Sequence, residues 1–241
     1  MRAMLILAAS PLLLAACQSN AERDSAAVRT SGQVATRSYD AANFTSVDLR
    51  GSDDVVVRVG EGFSVKAEGD PKLLDLLDIR VVDGALRISR KSRIGWNWHD
   101  DKRVKVHVTL PRLTGASVGG SGTLDADRAD GDFNGSVAGS GNLTIAALRG
   151  GAADLSVSGS GDLKIAGQAG RLSANIAGSG DIEATGLSAT SAQVSIAGSG
   201  NLRGTVKGEA AVSILGSGDV TLGGGAHCSV SRMGSGDASC S

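Results

Sequence analysis

The sequence predicts an all-β protein, a parallel β-solenoid with a β-rich N-terminal cap, and three observations predict it. The triplet Gly-Ser-Gly begins at Gly120, Gly139, Gly159, Gly178, Gly198, Gly216 and Gly234, at spacings of 18 to 20 residues. A fixed period near 20 without helical patterning marks a solenoid. Second, aliphatic residues alternate about every triplet. Two residues before its first Gly lie Val118, Val137, Val157, Ile176, Ile196 and Ile214; four after it lie Leu124, Leu143, Leu163, Ile182, Leu202 and Val220. Period two is the pattern of strands with one buried face. Third, the 241 residues include 35 Gly but only 3 Pro, 3 Phe, 2 Trp and 1 Tyr, with 41% apolar. The core is therefore thin and built from small branched side chains.

The same composition excludes several classes. Abundant Val, Ile and Leu at a net charge of −1 argue against disorder, and three prolines cannot sustain a collagen triplet. Few aromatics and near-neutral charge leave neither a stacking platform nor a basic footprint, so no nucleic acid is expected as a partner.

In chain order, residues 1–16 read as a signal peptide: Arg2, then an apolar run too short to span a bilayer, interrupted by Ser10 and Pro11. The run ends in Leu14-Ala15-Ala16-Cys17, which resembles the bacterial lipobox. That resemblance implies a diacylglycerol thioether on Cys17, normally with an N-acyl chain such as palmitate. Three acyl chains hold well, at about 0.8 kcal/mol per buried CH₂. Gln18, which is not Asp, implies sorting to the outer membrane. Residues 17–38, the lipidated Cys and a polar stretch without periodicity, are expected to form a flexible tether spanning about 25 Å. Residues 39–241 are expected to be the solenoid domain.

Within that domain the cap is expected to hold strands at Thr45–Arg50, Val55–Val59, Phe63–Glu68, Ile79–Val82, Ala85–Ser89 and Arg103–Leu110, and one short helix at Pro71–Leu77 with Pro in its first turn. Gly51-Ser52-Asp53-Asp54 reads as a degenerate corner. In each later repeat a strand, a GSG corner and a second strand follow one another, and the two strands face each other across the core. Positions six before and six after the first Gly tend to pair large with small, as in Ala153 with Ile165, Leu172 with Ala184 and Ala210 with Leu222, while Phe133 with Ile145 is bulkier and Ala192 with Gly204 smaller.

The opening Phe44-Thr45-Ser46-Val47, the Gly51-Ser52 turn and the repeated GSG-Asp/Asn corners together resemble the head GIN domain of bacterial cell-envelope proteins, a family described as an auto-transporter adhesin head. The resemblance runs from about Tyr39 to Ser241. It implies the β-rich repeat fold and an adhesin-like role at the cell envelope; with the lipobox, and with no nucleophile, base and orienting group that can be assembled, the expectation is a non-enzymatic, lipid-anchored envelope protein.

Several groups could in principle carry chemistry. The Asp and Asn residues after the triplets, Asp162 and Asp181 on adjacent repeats among them, suit turn formation better than a metal site. His99, His107 and His227 show no ligand spacing, so neither a metal nor a cofactor is expected. The loop Lys91–Lys102 carries Trp96 and Trp98 behind Arg90, Lys91 and Arg93 and is the candidate patch for glycan, lipid or protein. The plainer reading has one Trp covering the solenoid end. Cys228 and Cys240 sit six residues either side of Gly234, so both should point inward and pair as a disulfide in an oxidising compartment. The expected partners are a membrane, held through the N-terminal lipid, and an envelope protein or glycan. The rival reading is a carbohydrate-active β-helix enzyme, which would need a cleft built from long insertions. The GSG repeats have almost none.

Overall fold

The structure is a computed structural model that describes residues 32–91 and 103–241. It opens with β1 (Ala35–Tyr39), β2 (Ser46–Gly51), β3 (Asp54–Val59) and β4 (Ser64–Gly69), then α1 (Pro71–Leu76), β5 (Leu77–Val82), β6 (Ala85–Arg90) and β7 (Lys105–Leu110). The ladder follows as β8 (Gly115–Gly120), β9 (Thr123–Ala126), β10 (Ala129–Asp130), β11 (Phe133–Gly139), β12 (Asn142–Arg149), β13 (Ala152–Gly159) and the long β14 (Asp162–Gly178) and β15 (Ile182–Gly198). It closes with β16 (Leu202–Val206), β17 (Glu209–Gly216), β18 (Val220–Gly223), β19 (His227–Gly234) and β20 (Ala238–Cys240).

Each triplet joins two faces of a parallel solenoid. The strands before the triplets stack as face A, β8–β11–β13, the second halves of β14 and β15, then β17 and β19. The strands after the triplets stack as face B, β9–β12, the first halves of β14 and β15, then β16, β18 and β20. All twelve alternating aliphatics are buried. A short third side, absent from the sequence-based picture, closes the section where β10, the end of β12 and the middles of β14 and β15 pair. There Leu148, Leu187, Ala189 and Val206 point inward.

The cap is where order in sequence and order in space part. β2 pairs in parallel with β8 on one edge and with β6 on the other, and β3 pairs likewise with β9 and β7. The first rung of the chain is thus the second in space, held between β6/β7 and β8/β9. Phe44 and Val47, which open it, are each 1% exposed. Beyond this stack the sheet ends in antiparallel strands, β5 on β6 at face A, and β4 then β1 at face B. The helix begins as its sequence dictates: Pro71 fills the first position, where its missing N–H costs nothing, and the Asp70 carboxylate accepts from Lys72 N at 3.0 Å.

The tether was expected to run to residue 38, yet Ala35–Tyr39 is strand β1, paired with β4. Arg37 Nη1 donates to Leu74 O at 3.1 Å, Arg37 Nη2 meets Asp75 at 2.7 Å, and Tyr39 Oη donates to Leu74 O at 3.4 Å. The strand is held by polar bonds to the end of α1 and buries no residue fully, so it left no apolar alternation to read.

Candidate functional site

The GSG corners are built from stacked peptide groups. The carbonyl of each first Gly accepts from the next rung: Gly139 O takes both Ser160 N and Gly161 N at 2.9 Å, and Gly159 O takes Ser179 N at 2.8 Å and Gly180 N at 3.0 Å. This orientation needs φ of +121° at Gly139, where a Cβ would also come within 2.5 Å of Gly120 O. A Cβ at the third Gly, Gly141, would come within 2.5 Å of Gly122 O and 2.6 Å of Val118 Cγ1. The middle Ser projects into solvent.

From Asp162 to Asp219, the residue after the triplet links one rung to the next. Asp162 Oδ1 accepts Asp181 N at 3.2 Å, Asp181 Oδ1 accepts Asn201 N at 2.7 Å, Asn201 Oδ1 accepts Asp219 N at 3.1 Å, and Asp219 Oδ1 accepts Asp237 N at 2.9 Å. These side chains terminate the free N–H of the following rung. Sequence reasoning assigned them to turns; the bonds they make run between turns. Among the described residues, no group of His, Cys, Asp and Glu could hold a metal ion. His107 and His227 are both exposed.

The cap corner uses different chemistry. Gly51 is in register with Gly120, but Asp53 stands in the place of the third Gly. The rung beneath it runs from β6 to β7 without a triplet, so a side chain is tolerated there. Asp53 is 1% exposed and accepts from Arg90 Nε at 3.0 Å, from Arg90 Nη2, and from Val104 N at 3.0 Å. The carboxylate thereby ties together the two strands that bracket the Trp loop. Trp96 and Trp98 themselves lie outside the described residues, as do Cys17 and His99. Nearby, Asp48 accepts from Ser117 Oγ at 2.8 Å, Arg50 Nε at 2.9 Å and Arg87 Nε at 3.1 Å. Burial alone would raise its pKa; those hydrogen bonds and the Arg50 charge outweigh it and hold the carboxyl below its usual range. Two open troughs mark the surface, about 290 Å³ beside Asp48 and Ser117 and about 380 Å³ beside Gln168 and Lys207.

At the far end, Cys228 on β19 and Cys240 on β20 are bonded to each other, with Cα atoms 6.3 Å apart. They close the last rung from face A to face B.

The model of the family described as "Putative auto-transporter adhesin, head GIN domain" matches residues 43–226. The chain belongs to the head GIN domain family. The match begins at the residue before Phe44 and takes in this GIN domain from β2 through β18, leaving out β1 and the last rung, β19 and β20. Among solved structures it is similar to a "putative adhesin" from Bacteroides fragilis NCTC 9343, at 23% identity and TM-score 0.80, over 88% of this chain and 99% of that one. It is also similar to a "putative lipid binding protein" from Parabacteroides distasonis ATCC 8503, at 23% identity and TM-score 0.70, over 89% and 99%. A "putative adhesin" from Parabacteroides merdae ATCC 43184 aligns at 20% identity and TM-score 0.64, over 89% and 99%. At these identities the likeness establishes the fold. No curated protein matches this chain.

Proposed function

We propose that this GIN domain is a non-enzymatic binding module of the cell envelope, anchored through lipid on Cys17 and presenting its rigid solenoid for adhesion to a protein or glycan. The observation that carries this reading is the continuous ladder: seven GSG rungs stack in register along face A, and the register shifts after Ile145, Lys164 and Ala184 on face B are too short to build a substrate cleft. The family and the neighbouring structures carry adhesin descriptions, in agreement with a binding role. The Asp53 clamp supports the Trp loop as a contact segment, because it fixes both ends of an insertion that replaces a corner of three residues.

The test is a binding screen against envelope glycans and envelope proteins, with wild type beside the double variant Trp96→Ala, Trp98→Ala. Saturable binding by wild type that falls at least tenfold in the variant supports the reading. Turnover of any cell-wall or capsular glycan by the purified protein would overturn it in favour of a carbohydrate-active enzyme.

A further inference from the structure

Where face A passes through the cap, one row of outward side chains crosses four strands in register: Arg80 on β5, Arg87 on β6, Asp48 on β2 and Ser117 on β8. Arg80 and Arg87 are therefore direct cross-strand neighbours. Like charges so placed destabilise a sheet, and the surrounding carboxylates relieve them little. Asp48 serves two guanidinium groups on one oxygen, its Oδ2 accepting from Arg87 Nε at 3.1 Å and from Arg50 Nε at 2.9 Å. Arg80 meets Asp78 at 3.6 Å, and a solvent-facing pair of this kind contributes little. Asp83, in the turn between β5 and β6, and Asp154, one strand past Asn134, pair with none of the three arginines.

Arg50 and Arg87 use only Nε on Asp48. Among the described residues their Nη groups make no hydrogen bond, so two guanidinium forks are held in place with their outer donors unused. Asp48 is itself fixed: its side chain is 17% exposed, and Oδ1 accepts from Ser117 Oγ at 2.8 Å. The row borders the trough of about 290 Å³. Gly115 lies between Ser46 and Asn134 in register and leaves that trough open. The side chains that face it, besides Ala85, are those of Ser46, Asp48, Ser117, Asn134 and Ser136, since Val47 and Ala116 are buried. A carboxylate, an amide and three hydroxyls suit a hydroxyl-rich ligand, whereas the core of a protein interface takes aromatic and apolar anchors.

We propose that this trough binds an acidic sugar, a glycan unit of the uronic acid type, with its hydroxyls on Asp48, Asn134 and Ser136 and its carboxylate on Arg87 and Arg80. A bound carboxylate relieves the like-charge opposition that the free protein carries. Planar guanidinium forks match its two oxygens with parallel N–H···O bonds. The binding groups stand on paired strands, so little ordering is needed when the ligand arrives. The site is separate from the Trp loop and needs neither that loop nor the lipid anchor.

The experiment is isothermal titration calorimetry on the mature chain carrying Cys17→Ser, with trigalacturonate as the probe and its methyl ester as the neutral counterpart. Trigalacturonate is expected to bind saturably and the ester roughly tenfold or more weakly, the worth of a charge-assisted bond. Arg80→Gln is expected to weaken trigalacturonate binding by a similar factor while melting no lower than wild type, because it removes the repulsion with Arg87. An arginine with a merely structural role would lose stability instead. Lys164→Gln on face B is expected to bind as wild type does. Absence of saturable binding, equal affinity for the ester, an Arg80→Gln variant that binds as wild type or melts lower, or equal weakening by Lys164→Gln would each overturn the proposal. No binding of trigalacturonate together with Trp-dependent binding in the screen would overturn this site and leave the adhesion reading standing.

Discussion

A single methyl group separates the ladder from a chain that could not stack this tightly. Replacing Gly141 by Ala drives a Cβ against Gly122 O and Val118 Cγ1, and backbone cannot move aside as a flexible side chain would. Gly141→Ala is expected to destabilise by about 1–3 kcal/mol, the range for overpacking, whereas Ser140→Ala at the exposed middle of the triplet should change stability by less than about 0.5 kcal/mol. Urea unfolding of the two variants beside wild type checks both. Charge at the residue scale is also testable. The folded-state pKa of Asp48 is depressed, so its contribution to stability is complete above the unfolded value of about 3.9 and is lost as pH falls through the lower folded value. Asp48→Asn is expected to flatten the acid limb of the stability profile, and an unchanged limb would contradict the hydrogen-bonded role given to Ser117 and Arg87.

Among the elements, the last rung is the least supported. Val230 is 43% exposed, Met233 73%, and among the described residues nothing stacks beyond β19 and β20. Closing the segment between Cys228 and Cys240, twelve residues apart in sequence, contributes up to about 3 kcal/mol in the chain-entropy account. Mass spectrometry of the unreduced mature protein is expected to find the Cys228–Cys240 linked peptide. Reduction, or Cys228→Ser with Cys240→Ser, is expected to raise hydrogen exchange in β19 and β20 before the rungs above them. Free thiols at both positions in protein isolated from the envelope would refute the pairing. The strand β1 shows the opposite economy. It has no inward apolar column and is retained by Arg37 and Tyr39 on the end of α1, a contact formed only once the cap has assembled.

At the scale of the whole molecule, the chain enters at the cap: Gly32 N donates to Asp70 Oδ2 at 3.2 Å, and β1 follows at the outer edge of face B. An anchor at Cys17 would therefore hold the cap end and leave the GSG ladder free. Cys17→Ser is expected to abolish acylation and move the exported protein from the membrane fraction to the soluble fraction. Retention of the processed variant in membranes after a high-salt wash would show that some other surface binds them.

The sequence by itself determined the ladder. Its period, its two alternating aliphatic columns, the glycines at the corners and the inward placement of Cys228 and Cys240 all follow from local constraints. A corner with no room for Cβ and a strand with one dry face must repeat in every rung. The bounds of β2 to β7 were readable for the same reason, each within two residues. Only the tertiary structure decided what depends on a neighbour's edge: that β2/β3 lies between β6/β7 and β8/β9, that a third side closes the turns from β10 to β16, and that β1 is a strand. It also gave Asp53, at the corner the sequence marks, its bonds to Arg90 and Val104 N, and gave the Asp and Asn residues bonds between rungs. Such features arise because strand edges must find partners wherever the chain can supply them, and the alternation of a strand records which face is buried but not which edge it meets.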